Sequence, residues 1–572
     1  MQRMNPDSER TTHPLGMKAG AIGLALLALA SCWAMPLKML LGDGGSYYTF
    51  AVIGDEMIYA NRTQPLLAGA TIQNPLNGVC DPNILSPYLL EDVVREVVTL
   101  SGVHIITFFW IWRFIYPVVL LASLVVLARA VLPKRNRGWP EILIFAAGFQ
   151  ALYFIVYAIT VDYPPMGGWI LRIPTNVEYP IAALLGAGVW NFALHRRLQD
   201  GLLSAMMLSA LIYLRPYSAM PWAIALFLAL IAMAARRQLR IKTTVIVAAA
   251  LLLSLVPLLY IFQHNAALPS YRETMLRYFR PVEYEIHKNA PYFIAIGIIY
   301  LLAAWKGHRR LRPLLCACAF VMLLLPFISG AFASIRDELL SFDRYTPFYF
   351  TLIAACCGLL LKLSEPRRVV AAVAAAGALC LAVNCIRYGS FDYSKYHLGS
   401  YGYIQADLRS IPAYDWIRKN TPADAMILTD ERIHWGALEW THWSEGLRAT
   451  WVEDLFLVVA RRRPVYHWRM YGNFMSHAQY ADLVWLQRAT FGMQLKDEAA
   501  ADRAYAKLLS WYRPGYILWR KGRPGLRGRG ARLEKIASVE YSDDACEIWK
   551  LNYPHSLERG QGQPEDFLAP AR

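Results

Sequence analysis

Long apolar stretches recur along the chain, and every second connection between them is rich in Lys and Arg. Short cytoplasmic connections of membrane proteins collect positive charge, so this alternation fixes the predicted sidedness. The basic residues that share the predicted cytoplasmic side are Lys18, Lys134, Arg135, Arg137, Arg196, Arg197, Arg236, Arg237, Arg240, Lys242, Lys306, Arg309, Arg310, Arg312, Lys362, Arg367 and Arg368. The pattern predicts a polytopic membrane protein whose amino end is cytoplasmic.

About eleven transmembrane spans follow from the apolar runs, and a crossing helix needs ~20 residues for ~30 Å of hydrocarbon. The predicted spans are 19–41, 112–132, 139–160, 180–194, 201–214, 218–235, 243–262, 291–305, 312–330, 346–361 and 369–387. An odd number of spans places the two ends of the chain on opposite sides. The fold class is therefore a mostly α membrane domain over 1–387, with a long first outer loop over 42–111, followed by an outer α/β domain over 388–572.

The composition agrees with a membrane protein. Apolar residues make up 56% of the chain, and 33 Tyr and 18 Trp are enough for aromatic belts at both interfaces. The formal charge of +16 is concentrated in the predicted inner connections, where membrane orientation accounts for it. Nucleic acid is therefore not expected as a partner, whereas membrane lipid is.

The carboxyl-terminal part has the patterns of a small α/β domain. Residues 413–422 read as a helix closed by Asn420 and Pro422, and strands are predicted within 425–430, 515–521, 533–542 and 546–552. Cys80 and Cys546 both fall in outer segments. They form either a disulfide between the first loop and the tail or two separate thiols.

The first outer loop carries two adjacent carboxylates, Asp55 and Glu56. A carboxylate that is partly desolvated near a lipid interface gains proton affinity and makes an effective general base. The alternative is structural, because an acid at the start of a helix accepts backbone hydrogen bonds as a cap. Spacing alone leaves both interpretations open.

Tyr59 lies four residues after Asp55, Gly69 lies fourteen after it, and Pro82 follows in a proline-containing stretch. This pattern resembles the first outer loop of the GT-C glycosyltransferases, among them protein mannosyltransferases and aminoarabinose transferases. The order of one span, a long outer loop, a multi-span core and an outer α/β tail is also similar to that family. The resemblance implies a multi-pass enzyme of the bacterial inner membrane and cell envelope, with a periplasmic carboxyl-terminal domain.

Carried over by residue, Asp55 would be the catalytic carboxylate that engages the acceptor, with Glu56 as its acidic neighbour and Tyr59 beside the substrate. Asp43 is a rival, because Tyr47 also lies four residues after it. The Trp-Trp-Asp triplet of the oligosaccharyltransferase branch is absent from the sequence. Its absence argues against transfer of an oligosaccharide to Asn and against that branch's divalent metal, so no cofactor is expected.

Four arginines lie at predicted outer ends of spans, against the tendency of basic residues to stay inside: Arg113, Arg172, Arg215 and Arg344. A polyprenyl-phosphate donor presents anionic phosphate there, and cations stabilise it as the sugar leaves. The alternative is an interfacial arginine that reaches lipid headgroups or pairs with a local acid such as Glu178. Arg344 with Tyr345 also resembles the start of a late span in the GT-C family and ranks first.

The second outer loop adds Asp162 and Glu178. These two acids would hold a metal together with Asp55, bind sugar hydroxyls, or act only as loop acids. No Asp-x-Asp motif occurs there, so no metal site is assigned.

The predicted function is inverting transfer of a hexose or pentose from a polyprenyl-phosphate donor to a glycan, lipid or protein acceptor on the outer face of the membrane. Asp55 would orient or deprotonate the acceptor, and outer arginines would stabilise the departing lipid phosphate. Two other classes remain open, a non-catalytic membrane assembly subunit and a lipid or glycan transporter with the same fold. The sequence leaves the sugar, the acceptor and the oligomeric state undetermined.

Overall fold

A computed structural model gives the arrangement of most of the predicted helices and of the tail sheet. It describes residues 15–42, 89–103, 105–132, 138–160, 178–214, 216–259, 283–306, 308–329, scattered positions between 371 and 382, 409–422, 425–429, 456, 460, 462–464, 514–521 and 537–552.

The described part of the chain is mostly helical. Its helices before the tail are α1 (Leu15–Gly42), α2 (Leu89–Ser101), α3 (Ile105–Val131), α4 (Trp139–Thr160), α5 (Glu178–His195), α6 (Leu198–Leu214), α7 (Pro216–Ala235), α8 (Ile241–Ser254), α9 (Glu283–Lys306) and α10 (Arg312–Ser329). Each predicted span before residue 331 coincides with one of these helices. The predicted span 346–361 lies outside the described residues, and 369–387 is described only at scattered positions.

Three segments of the described chain are helical, long and apolar enough to cross a bilayer: Ile111–Val131, Ser218–Ala235 and Ile241–Leu259. Shorter apolar helical segments occur at Gly16–Ala30, Leu198–Leu214, Phe293–Lys306 and Arg312–Leu324. These helices support association with a membrane. The full count of eleven spans stays a prediction.

Two compact units account for the contacts of the chain. The first contains α1, α3 from Trp110 onward, and α4 to α10, whereas the second contains α2 and the tail elements. In the first unit, α1 packs on α4, and α5 packs on α6. Helix α6 also contacts α7 and α8, and α10 bridges α7 and α9. The predicted division into domains 1–387 and 388–572 stays a prediction.

Helix α9 approaches α10 closely at Gly297. A Cβ atom added there would lie 2.4 Å from Leu323 Cγ and 2.6 Å from Leu323 Cδ2. Small residues allow this approach between helices in lipid, where dispersion contacts drive helix association.

Gly297→Val is therefore expected to destabilise the first unit, because the added side chain pushes the two helices apart at a cost of about 1–3 kcal/mol. The measurement is the melting temperature of the purified protein. Gly23→Val in α1 is the matched control, since nothing lies within 4 Å of a Cβ atom at Gly23. Equal melting temperatures for the two variants would contradict the tight contact.

The tail contains one helix, α11 (Ile411–Asn420), and strands β1 (Met426–Thr429), β2 (Arg463–Pro464), β3 (Tyr516–Arg520), β4 (Ala537–Ser542) and β5 (Cys546–Leu551). The strand order is β2-β1-β3-β5-β4. Strand β1 pairs in parallel with β2 and β3, and β5 pairs antiparallel with β3 and β4. The register of β4 shifts between Val539 and Tyr541, which marks a bulge. The helix and the four strands predicted in this region are confirmed, and β2 was not predicted.

Helix α11 buries Ala413, Tyr414 and Ile417 on one face and packs on β4 and β5. Arg520 of β3 is 3% exposed, donates from Nε to Ser410 Oγ at 3.2 Å, and donates from Nη2 to the Tyr414 hydroxyl. Cys546 is a buried thiol whose Sγ lies 3.2 Å from the same Ser410 Oγ. Cys80, with which Cys546 would form one of the two alternatives left open by the sequence, lies outside the described residues.

Candidate functional site

Polar side chains from four apolar helices gather in the interior of the first unit. Trp33 of α1 donates from Nε1 to the carbonyl of Phe114 in α3 at 3.0 Å, and the two rings lie 6.5 Å apart. Gln150 of α4 is fully buried and donates from Nε2 to Cys32 Sγ of α1 at 3.3 Å. These contacts hold α1 between α3 and α4.

Helix α3 contributes a buried cation to this region. Arg113 is 1% exposed, although its neighbours along the helix are Phe114, Trp112 and Ile115. Four residues later, Pro117 lies inside the helix and cannot donate the hydrogen bond that the Arg113 carbonyl would receive in a regular helix. The backbone of α3 is thus interrupted where its charged side chain enters the interior.

Helix α5 contributes a buried acid. Glu178, the first residue of α5, is 2% exposed, and Tyr179 beside it is also buried. Tyr116 of α3 is fully buried and lies close enough to Tyr179, Glu178 and Cys32 to interact with them electrostatically. Because Tyr116 follows Arg113 by three residues, both occupy the same face of α3. Tyr116 therefore lies on the face of α3 that carries Arg113, and it also lies close to Glu178 of α5.

Each of these charged groups lies far from the carboxyl end of its own helix. At 1.5 Å per residue, Arg113 lies about 27 Å before the end of α3 at Val131, and Glu178 lies about 26 Å before the end of α5 at His195. Glu178 thus begins α5, whereas Arg113 lies about 12 Å after the start of α3 at Ile105, and both groups are remote from the basic connections after α3 and α5. We define the buried polar cluster as Cys32, Arg113, Tyr116, Gln150 and Glu178.

A buried cluster of this kind is able to bind a charged, hydroxyl-bearing ligand. Ionisable side chains in apolar helices are costly and mark functional positions by default. In such surroundings a guanidinium group attracts phosphate far more strongly than it does in water, and it does so through paired N–H donors. A carboxylate and a phenol beside it accept and donate hydrogen bonds to sugar hydroxyls.

Of the site residues predicted from the sequence, the structure describes Arg113 and Glu178. Both are buried, and Glu178 lies near Tyr116, which follows Arg113 by three residues in α3. The remaining predicted residues lie outside the described part of the chain: Asp43, Asp55, Glu56, Tyr59, Asp162, Arg172, Arg215, Arg344 and Tyr345. Their roles stay predictions.

The sequence analysis missed Cys32, Tyr116 and Gln150. Gln150 carries a usable signal, because an amide within the apolar run of α4 needs a partner inside the protein. Cys32 and Tyr116 carry no such signal, since both residue types are ordinary members of a membrane helix.

Metal ligands are a separate question. Among the residues that the structure describes, no group of three or more His, Cys, Asp or Glu side chains is placed to hold a metal ion. Asp55 and Asp162, which the sequence analysis considered as ligands, are not among those residues.

Comparison with known proteins gives no assignment, because no protein-family model matches the chain and no curated protein sequence matches it.

Proposed function

We propose that the protein is an integral membrane glycosyltransferase that moves a sugar from a polyprenyl-phosphate donor to an acceptor, with inversion at the anomeric carbon. The observation that carries the proposal is the burial of Arg113 and Glu178 within apolar helices, at 1% and 2% exposure. A donor of this kind has an apolar tail, an anionic phosphate and a sugar. The buried polar cluster offers a cation to the phosphate and hydrogen-bonding side chains to the sugar. It lies within a unit that associates with a membrane.

In the proposed reaction, Arg113 binds the phosphate that gains charge as the glycosidic bond breaks. Glu178 and Tyr116 hold sugar hydroxyls, and Asp55 orients or deprotonates the acceptor hydroxyl. The acceptor oxygen forms the new bond to the anomeric carbon while the bond to the lipid phosphate oxygen breaks. The proton of the acceptor goes to the carboxylate, and the polyprenyl phosphate departs as the leaving group.

The proposal includes a topology of about eleven spans with a GT-C-like arrangement in a bacterial inner membrane. The amino end and the basic connections lie in the cytoplasm, and the α/β tail lies in the periplasm. The alternation of basic connections in the sequence supports this sidedness.

Sugar transfer in proteoliposomes tests the proposal. The purified protein is reconstituted with radiolabelled polyprenyl-phosphate sugars, both hexose and pentose, together with glycan, lipid and protein acceptors. We expect label to move from the donor to one acceptor, and we expect transfer to persist in a chelator, since no divalent metal is assigned. A folded protein that transfers label from none of these donors would exclude the enzyme and favour an assembly subunit. Movement of intact donor across the bilayer would favour a transporter.

A further inference from the structure

Three basic connections meet at one end of the first unit. Arg196 donates from Nη2 to Gln238 Oε1 at 2.5 Å and to the carbonyl of Arg310 at 2.8 Å. Arg310 in turn donates from Nη1 to the carbonyl of Leu194 at 3.1 Å. These bonds join the connections 195–197, 236–242 and 306–312, which we call the basic face.

The basic face carries a large positive charge, and Asp200 of α6 lies close enough to interact electrostatically with Arg197. Its three connections contain ten Lys and Arg and no Asp or Glu. Burial, and then the charge of Arg310, lower the pKa of Arg196 to about 10, so the Arg196 guanidinium remains charged at neutral pH. Like charges held at this spacing favour an anion as their partner.

The backbone supports the same interpretation. Arg196 and Arg237 have φ values of 59° and 52°, a left-handed conformation that glycine adopts at much lower cost. Arg237 follows α7 in a Schellman motif, since its N–H bonds to Ala234 O at 2.8 Å and the N–H of Gln238 bonds to Met233 O at 2.9 Å. Glycine is the usual residue at that position. The chain thus carries an arginine at two turns that favour glycine, and at one of them the Arg196 guanidinium joins the three connections.

Exposed apolar side chains lie within the basic face and close to it along the chain. Ile231 in α7, Ile241 at the start of α8 and Trp305 near the end of α9 are 63%, 83% and 71% exposed. Two of the candidate spans, Ser218–Ala235 and Ile241–Leu259, end and begin at this face. A ligand that fits has an anionic head at the connections and apolar chains along the helices.

We propose that the basic face is a binding site for the phosphate headgroup of an anionic phospholipid, whose acyl chains lie alongside Ile231, Ile241 and Trp305. Arginine suits this ligand because its planar fork binds phosphate oxygens in pairs, and basic pockets between helices bind anionic headgroups at membrane surfaces. The exposed apolar side chains favour a lipid over inorganic phosphate. This site is at the opposite end of α5 from Glu178, and it does not depend on the proposed sugar transfer.

Retention of lipid by the purified full-length protein tests the site. Wild type is reconstituted in bilayers of phosphatidylglycerol and phosphatidylcholine and extracted, and the bound lipids are identified by native mass spectrometry. The test variant combines Arg236→Gln, Arg240→Gln and Arg309→Gln, three exposed side chains of the basic face. The control combines Arg409→Gln, Lys419→Gln and Lys550→Gln, three exposed side chains of the tail that remove the same charge.

Wild type and the control are expected to retain phosphatidylglycerol in preference to phosphatidylcholine, and the test variant is expected to lose this lipid about tenfold or more. The corresponding triple Lys variant keeps the charge and is expected to retain an intermediate amount. If the glutamine triple does not purify, the three single variants are expected to give graded losses. Equal retention by test and control variants would overturn the proposal, and so would full displacement of the lipid by inorganic phosphate at the same headgroup concentration.

Discussion

Replacing Arg113 by Gln is expected to lower sugar transfer about a hundredfold or more, because the departing phosphate then loses its buried cationic partner. The measurement is the initial rate in proteoliposomes at several donor concentrations. Arg113→Lys keeps the charge but not the planar fork, so an intermediate rate is expected. Arg129→Gln is the matched control, because Arg129 is an exposed arginine on the same helix.

A loss of transfer through misfolding is separated from a loss of chemistry by a second variant. Removing one member of a buried charged set costs about 3–5 kcal/mol, and removing both charges costs much less. Arg113→Gln combined with Glu178→Gln is therefore expected to recover thermal stability relative to the single variant, while transfer stays lost. If the double variant recovers transfer together with stability, the two residues serve the fold and Arg113 has no role at the phosphate.

Asp55→Asn is expected to abolish sugar transfer, a loss of roughly a hundredfold to ten-thousandfold, while the protein still inserts and folds. The amide cannot take the proton of the acceptor hydroxyl. The rate is measured in the same proteoliposomes, and the melting temperature reports folding. Asp43→Asn is the paired variant, since Asp43 has the same Tyr spacing in the sequence.

The two aspartate variants distinguish the rivals directly. Full activity in Asp55→Asn together with loss in Asp43→Asn would transfer the catalytic role to Asp43. Full activity in both variants would remove the first outer loop from the chemistry.

Much of the helical framework could be predicted because the apolar runs are long and their connections are charged. The run that became α4 was predicted with the bounds Trp139–Thr160 that the structure gives. Helix α9 begins earlier than predicted, at Glu283, because helical structure continues beyond the apolar part of its sequence. Helix α3 also begins earlier than the predicted residue 112, at Ile105, and its added residues are themselves apolar. Hydropathy identifies the apolar part of a helix that is buried in lipid. It does not identify the turns by which the same helix extends beyond the lipid.

The buried polar cluster could be predicted only in part. Arg113 and Glu178 attract attention as charges in apolar surroundings, and both were predicted. The roles of Cys32, Tyr116 and Gln150 depend on how α1, α3, α4 and α5 pack together, and one sequence gives no pairing of helices. Strand β2 could not be predicted from the sequence either. Its two residues are too few to show the alternation of apolar and polar residues that is typical of a strand.

The irregularity in β4 has a consequence for the solution behaviour of the tail. Strand β4 lies at the margin of the sheet, where unpaired amide and carbonyl groups would invite another copy of the chain to add a strand. Its residues from Ser538 to Glu540 are exposed, and the bulge between Val539 and Tyr541 breaks the regular spacing that such an addition requires. Among the described strands, the bulge therefore disfavours addition of a further strand at that margin of the sheet.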